Sequence, residues 1–211
     1  PSEIIFTKGA TESINLVANG IESSLNPGDE ILVSIAEHHA NFVPWQQLAS
    51  RTGAIFKTFG VLPNGQFDLD DFARQLSPKT KMVAITQLSN VLGIVNPVHE
   101  MIKSAHARGI PVLIDGAQGV AHMPVSMSDL DCDYYVFSGH KIYGPTGIGV
   151  LYGKKSALEK LSPYQFGGDM IKTVTVDKTE FADIPARFEA GTPPFVEAIG
   201  LASAIDFVSD R

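Results

Sequence analysis

Short, continuous apolar runs alternate along this chain with segments whose apolar residues recur every three to four positions. The runs are rich in Ile and Val, which is typical of strands covered on both faces of a sheet. The pattern therefore predicts strands at residues 4–7, 30–35, 55–59, 82–87, 111–115, 134–137 and 147–152.

Helices are predicted between these strands. In the first of them, Ile14, Val17 and Ile21 share one face at the helical spacing. Asp68 stands where a helix N-cap is expected, and Gly53 stands where a C-cap is expected. The predicted helices cover residues 11–25, 42–52, 69–76, 98–108, 155–161 and 198–211.

The alternation of strands and helices predicts an α/β fold with a mostly parallel, doubly wound sheet of about seven strands. We expect residues 1–211 to form one ligand-binding domain. Because ligands of such sheets bind beyond the carboxyl ends of the strands, the polar residues that directly follow each strand are the candidates for a functional site.

Composition and charge narrow the choice of partners. The net charge of −7 disfavours nucleic acid and anionic membranes, and no apolar run approaches the roughly 20 residues that cross a bilayer. The single cysteine, Cys132, excludes an internal disulfide and is expected to be a small buried side chain. Because no secretory leader opens the sequence, a cytoplasmic location is expected.

The first strand leads into Gly9-Ala10-Thr11, where a helix begins at once. The backbone N–H groups of a first helical turn, together with the Thr11 hydroxyl, could bind an anion. The alternative is simple capping of the helix by Thr11, because caps of this kind are common where a strand turns into a helix.

Polar side chains also follow two other strands. His38 and His39 come after the second strand, where one imidazole could stack on a planar ligand or both could simply belong to a polar loop. A metal-binding pair would more often lie at positions i and i+4 of a helix, so no metal is expected. Asn90 follows the fourth strand and either contacts a substrate carboxylate or shapes a turn.

Asp115 directly follows three aliphatic residues of a predicted buried strand. A carboxylate is costly there unless a cation or hydrogen bonds compensate its burial. A protonated pyridine nitrogen is such a cation, and a ring held in this way acts as an electron sink. The alternative is an aspartate that caps the following helix.

The run Ser138-Gly139-His140-Lys141 brings a hydroxyl, an imidazole and an amine to the end of an aromatic strand, just before a glycine-rich stretch. Lysine forms an imine with an aldehyde cofactor, and Ser and His beside it can hold a phosphate. The alternative is a solvated lysine on the surface.

Together these runs resemble the fold-type I pyridoxal phosphate enzymes of the class V aminotransferase family. Within that family they are similar to the cysteine desulfurases and selenocysteine lyases of the SUF and sulfinate-desulfinase branch. The similarity covers nearly the whole chain, and the run around SGHK is highly specific. The matching stretches are GATESINLVANG, AEHHANFVPWQ, QLSNVLG, VLIDGAQG, LDCDYYVFSGHKIYGPTGIGVLYG and RFEAGTPP.

The resemblance implies a role for each candidate residue. Lys141 would carry pyridoxal 5'-phosphate as a Schiff base and move the substrate Cα proton. Asp115 would pair with the pyridine nitrogen, Gln118 would bond the ring hydroxyl, and His38 would stack on the ring and assist proton transfer. The remaining contacts would come from Thr11, Ser138 and His140 at the phosphate, from Ala10 where relatives have a second threonine, from Asn90 beside the substrate, and from Thr192 at the phosphate of the other subunit of a homodimer.

The implied reaction converts L-cysteine, cysteine sulfinate or selenocysteine to L-alanine, while an enzyme thiolate takes the sulfur as a persulfide and passes it to an acceptor protein. In the family a smaller C-terminal domain supplies the catalytic cysteine and a carboxylate-binding arginine. The resemblance assigns neither to these 211 residues, and Cys132 does not match that cysteine. The alternatives are another class V aminotransferase, a kynureninase-like enzyme, or a non-catalytic module that binds pyridoxal phosphate.

Overall fold

The computed structural model describes residues 2–210 of the chain. The strands are β1 Ile4–Thr7, β2 Glu30–Ser34, β3 Ile55–Phe59, β4 Thr80–Thr86, β5 Val112–Asp115, β6 Tyr134–Ser138, β7 Gly149–Gly153, β8 Ile171–Val174 and β9 Thr179–Phe181. The α-helices are α1 Ala10–Gly20, α2 Val43–Thr52, α3 Leu69–Gln75, α4 Val98–His106, α5 Gly119–His122, α6 Met127–Leu130, α7 Lys155–Leu158 and α8 Phe195–Ser209.

The first seven strands are hydrogen-bonded in the order β1-β7-β6-β5-β4-β2-β3. Strand β2 pairs in parallel with β3 and with β4, and β4 pairs in parallel with β5. Strand β1 runs antiparallel to β7 at one edge. The predicted α/β fold with a mostly parallel sheet of seven strands is therefore confirmed.

The chain divides into two compact units. One takes in the chain up to Ile21 and again from Val136 onward, and it contains α1, β1, β7 and α8. The other is Glu22–Tyr135, and it contains β2 to β5 with helices α2 to α6. The expectation that residues 1–211 form one cofactor-binding domain stays a prediction.

Each unit has its own apolar core. In Glu22–Tyr135 strands β2, β4 and β5 are buried along most of their length, with Leu32, Val83 and Leu113 fully inaccessible to solvent, whereas β3 at the sheet edge is partly exposed. Trp45 of α2 is also fully buried. In the other unit the apolar face of α1, including Ile14 and Val17, is buried as its helical spacing predicts. Burial of the strands leaves their polar carboxyl ends as the places where chemistry can face a ligand.

Two predicted helix caps are confirmed. The Asp68 side chain accepts a hydrogen bond from the Asp71 N–H at 2.8 Å at the start of α3. Gly53 ends α2 in the left-handed conformation, with φ of 75°. Helix α1 ends earlier than predicted, because the Gly20 carbonyl accepts a hydrogen bond from the Ser162 N–H of a crossing segment.

The hairpin formed by β8 and β9 was not predicted. Every residue of the two strands is exposed, so neither strand carries an alternation of buried and exposed positions. Among the residues that the structure describes, no helix is both long and apolar enough to span a bilayer.

Candidate active site

The start of α1 forms an anion cradle, which we define as the backbone N–H groups of the first helical turn with the hydroxyls of Thr11 and Ser138. Gly9 occupies the N-cap position and makes no side-chain cap. The Ala10 N–H donates to Ser138 Oγ at 2.8 Å, so the end of β6 is tied to the start of α1. Thr11 lies inside the first turn with its side chain exposed, and it does not cap the helix.

The anion cradle fits a phosphate group. Over residues 2–210, the N–H groups of Thr11 and Glu12 find no hydrogen-bond acceptor, as is usual for a first helical turn. A Cβ at position 9 would lie 3.1 Å from Ser138 Oγ, so a side chain there would crowd the cradle. Free N–H donors at the positive end of a helix dipole, with two hydroxyls beside them, are the donor set that a phosphate needs.

Lys141 and His140 lie on a single 3₁₀ turn, Gly139–Ile142, that directly follows β6. His140 is exposed and Lys141 is half-buried. No hydrogen bond or ion pair to the Lys141 amine is found within the described part of the chain. A half-buried amine that is not neutralised by a carboxylate is suited to react with an aldehyde.

Asp115 ends β5 and is only 5% exposed. Its Oδ1 accepts a hydrogen bond from the Ala117 N–H at 2.9 Å, which partly compensates the burial of the carboxylate. Helix α5 begins later, with Gln118 at its N-cap position, so Asp115 does not cap that helix. Gln118 is half-buried, and its carbonyl oxygen accepts from His122 Nδ1 at 2.7 Å.

His38 begins the short 3₁₀ turn His39–Asn41 after β2. Its Nδ1 accepts a hydrogen bond from the Ala40 N–H at 3.1 Å. A neutral His38 ring therefore carries its proton on Nε2, which leaves that N–H available to a ligand. The ring is exposed, as a side chain that stacks on a planar ligand requires.

Asn90 is exposed in the loop after β4. The hydrogen bonds that hold this loop come from its neighbour: the Ser89 carbonyl accepts from the Gly93 N–H, and Ser89 Oγ accepts from the Leu92 N–H. The role of shaping the turn thus falls to Ser89, and Asn90 is left facing outward.

Glu37 is a buried carboxyl group that the sequence patterns did not single out, although it directly precedes His38. Its two oxygens accept hydrogen bonds from Ser34 Oγ at 2.5 Å, Asn41 Nδ2 at 2.7 Å and the Thr86 N–H at 3.0 Å. Burial raises the pKa of Glu37 to about 8, and the nearby charge of Asp115 acts in the same direction. The turn that carries His38 is therefore anchored to strand β4 by an acid that holds its proton at neutral pH.

Thr192 lies in the first unit and lines a cavity of about 350 Å³. Lys8, which precedes α1, and Glu12, in the first turn of α1, line the same cavity. Glu189 also borders it; its carboxylate accepts from the Phe6 N–H at 2.7 Å, and burial raises its pKa. Thr192 itself is exposed.

The predicted site residues thus fall into two groups. Ala10, Thr11 and Ser138 come together in the anion cradle, followed on the chain by His140 and Lys141. In Glu22–Tyr135, His38 and Asp115 lie at the ends of β2 and β5. Strand β4 lies between those two strands, and its Thr86 contacts both Glu37 and the Asp115 carbonyl oxygen, at 3.0 and 3.4 Å.

Curated relatives and solved structures resemble this chain over nearly its whole length. The chain is 51% identical over 207 residues to a cysteine desulfurase of Synechococcus elongatus, covering 98% of this chain and 33% of the relative. It is 49% identical to a cysteine desulfurase of Dickeya dadantii, covering 98% of this chain and 51% of the relative. The chain therefore spans between a third and about half of the length of these relatives.

Among solved structures, the cysteine desulfurase CsdA of Escherichia coli matches with a TM-score of 0.97 and 44% identity, covering 100% of this chain and 53% of that one. The family model described as aminotransferase class V matches residues 1–211. Because that match takes in the whole chain, the chain belongs to the class V aminotransferase family.

Proposed function

We propose that this chain is the cofactor-binding part of a cysteine desulfurase and that it holds pyridoxal 5'-phosphate through Lys141. One observation carries the proposal: the Lys141 amine, which has no neutralising partner among residues 2–210, follows Ser138 by three residues. Ser138 itself helps to build a phosphate-sized donor set at the start of α1. Support also comes from the desulfurase relatives and from C-DES, a 29% identical structure with a TM-score of 0.91 that holds glycine linked to this cofactor.

When bound, pyridoxal 5'-phosphate supplies an aldehyde that exchanges with a substrate amine and a ring that accepts electrons. The anion cradle would hold the phosphate oxygens through the Thr11 and Glu12 N–H groups and the two hydroxyls, with His140 beside them and Ala10 contributing no side-chain donor. Lys141 Nζ would hold the aldehyde carbon before substrate arrives. It would then take and return the proton at the substrate Cα.

Residues of Glu22–Tyr135 would orient the ring. The Asp115 carboxylate would pair with a protonated ring nitrogen, and its burial makes that charge pair stronger than it would be in water. Gln118 would hydrogen-bond the ring hydroxyl, His38 would lie against the ring face, and Asn90 would contact the substrate.

We further propose that the chain acts within a homodimer. Three apolar side chains at the start of α8, Phe195, Val196 and Ile199, are each more than 60% exposed and come just after Thr192 on the chain. An exposed apolar surface of this kind is typical of a subunit interface. Thr192 would then reach the phosphate held by the other subunit.

The substrate class that we propose is cysteine or its sulfinate or selenium analogue, with an acceptor protein for the sulfur and a cytoplasmic location. Cys132 is fully buried, so we assign it no part in sulfur transfer. The thiol that takes the sulfur would come from outside residues 1–211. Residues 1–211 would form the large, cofactor-binding domain.

The proposal is tested by reducing the full-length protein with borohydride after it has been mixed with pyridoxal 5'-phosphate. We expect mass spectrometry to find one pyridoxyl group on the peptide that contains Lys141, and a visible absorbance band before reduction. Both signals should disappear in Lys141→Ala and persist in Lys172→Ala, which removes an exposed lysine of the β8–β9 hairpin. A label that survives in Lys141→Ala would contradict the assignment.

Product analysis then separates the proposed reaction from the alternatives. With L-cysteine we expect alanine and a persulfide in equal amounts, both lost in Lys141→Ala. A keto acid as the main product would instead indicate transamination. Cofactor binding with no turnover of any amino acid would indicate a non-catalytic module.

A further inference from the structure

Tyr135 and Gln87 form a buried polar pair that the proposed function does not use. The Tyr135 hydroxyl of β6 donates to Gln87 Oε1 at 2.6 Å, and both residues are almost inaccessible to solvent, at 1% and 6% exposure. Burial raises the pKa of Tyr135 well above its ordinary value, so the hydroxyl stays protonated and remains a donor. A neutral hydrogen bond in such a place is strong and geometrically defined.

This pair lies directly against the turn that follows Asp115. A Cβ at Gly116 would come within 1.9 Å of the Tyr135 ring, and a Cβ at Gly119 would come within 2.2 Å of Gln87 Oε1. Neither glycine has a positive φ, so the backbone conformation does not demand glycine at either position. Glycine is therefore required at these two positions for steric reasons, because only a residue without a Cβ lets residues 116–119 contact the Tyr135 ring and the Gln87 amide.

The main chain of Gln87 is fixed on both sides. Its N–H donates to the Asp115 carbonyl oxygen at 3.0 Å, and its own carbonyl oxygen accepts from the Asn96 N–H at 2.9 Å. Gln87 thus holds Asp115 through its backbone and supports Gly119 through its side chain. Any movement of the Gln87 side chain would be transmitted to the turn that contains Gln118.

We propose that Tyr135 and Gln87 are positioning residues: their hydrogen-bonded pair forms a floor beneath residues 116–119 and sets where the Asp115 carboxylate and the Gln118 side chain stand. Neither side chain needs to touch a ligand for this role. The consequence for a bound ring rests on the function proposed above, because it is through Asp115 and Gln118 that the floor would act on the ring.

The informative variant is Tyr135→Phe, which keeps the ring that supports Gly116 and removes only the hydrogen bond to Gln87. Tyr134→Phe is the matched control. Tyr134 is also buried, at 3% exposure, but neighbouring residues of a strand point to opposite faces of the sheet. Gln87→Leu and the double variant complete a cycle that isolates the coupling between the two side chains.

Two measurements on the full-length protein test whether the Tyr135–Gln87 pair supports residues 116–119. The first is the pH midpoint of the Lys141-dependent visible band, which depends on how Asp115 and Gln118 meet the ring; we expect Tyr135→Phe to shift it by about half a pH unit or more. The second is hydrogen exchange of the peptide 115–120 without cofactor, which we expect to become about fivefold faster in Tyr135→Phe. The double variant should show less than the sum of the two single effects.

The outcomes separate the floor from the proposed function. An unchanged midpoint and unchanged exchange in Tyr135→Phe, with the band intact in the wild type, would overturn the floor and leave the function standing. Equal effects from Tyr134→Phe would also overturn it, because the change would then be a general response of the core. If the wild type has no lysine-dependent band, the proposed function fails, and the exchange measurement alone decides whether the floor exists.

Discussion

At the residue scale, the site residues of Glu22–Tyr135 include two buried carboxyl groups, Glu37 and Asp115, and the surroundings of Glu37 determine its protonation. Glu37 accepts three hydrogen bonds, yet burial outweighs them and its pKa is raised to about 8. Trp45 Nε1 donates to Asn41 Oδ1 at 3.0 Å, which fixes Asn41 as a donor to Glu37. The backbone N–H of Thr86 can only donate a hydrogen bond to Glu37. The Ser34 hydroxyl donates to an ionised Glu37, and it is the partner that can accept instead, so a protonated Glu37 donates its proton to Ser34 Oγ.

Glu37 makes folding stability dependent on pH. Its pKa in the folded chain, about 8, is above the ordinary value of 4.5, so the folded state binds more protons in between. The contribution is therefore fully present below pH 4.5 and is lost as the pH rises toward 8. We expect the loss of melting temperature between pH 5 and pH 8 to be clearly smaller in Glu37→Gln than in the wild type.

The control for this titration is Glu100→Gln, which changes an exposed carboxylate of α4 and should leave the pH dependence of the melting temperature as it is in the wild type. Glu37→Gln should also be less stable than the wild type at pH 5, because its amide would place N–H groups against the Asn41 donor. A wild-type slope retained in Glu37→Gln would show that Glu37 is already ionised at pH 5.

At the element scale, α1 and α3 differ in how the N–H groups of their first turns are satisfied. Helix α3 is closed by the Asp68 side chain, as its sequence predicts. Helix α1 has no side-chain cap, and N–H groups of its first turn are left without an acceptor in the described residues. First-turn N–H groups without an acceptor are available to a ligand, and an anion bound there would satisfy them.

The cap of α3 gives a stability prediction. Asp68→Ala should lower the free energy of unfolding by about 1 kcal/mol, because the Asp71 N–H loses its acceptor. Asp70→Ala, which removes an exposed acid of the same first turn, should cost less, since it loses only an interaction with the helix dipole. Urea denaturation of the two variants measures both effects. Equal losses would indicate that the cap contributes no more than the charge.

At the scale of the whole molecule, the proposed homodimer can be tested at Thr192, which lies just before the exposed apolar start of α8. We expect sedimentation to show a dimer and Thr192→Val to leave the dimer intact. The affinity for pyridoxal 5'-phosphate should fall about tenfold, because one hydrogen bond to a charged phosphate is lost. Thr179→Val, which changes an exposed threonine of β9, should bind as the wild type does. A monomer with undiminished affinity would contradict the role given to Thr192.

The sequence by itself determined the strands, most helix positions and the α/β class. Buried parallel strands and amphipathic helices have characteristic patterns of apolar residues, and these patterns can be recognised without knowing which elements pack against each other. The run around Ser138 and Lys141 was equally specific. The caps Asp68 and Gly53 followed from local chemistry alone. The β8–β9 hairpin left no such signal, because its residues are exposed on both faces.

Only the tertiary structure decided what surrounds each polar side chain. Tyr135 is 48 residues from the glutamine that it bonds, and Glu37 is bonded by Thr86, 49 residues away, as well as by its near neighbours Ser34 and Asn41. Burial and hydrogen bonding depend on those distant neighbours, and so do the pKa of Glu37 and the space left for Gly116. Residue types and spacing along one chain carry no record of such contacts, which is why the sequence located the candidate site but not the groups that hold it in place.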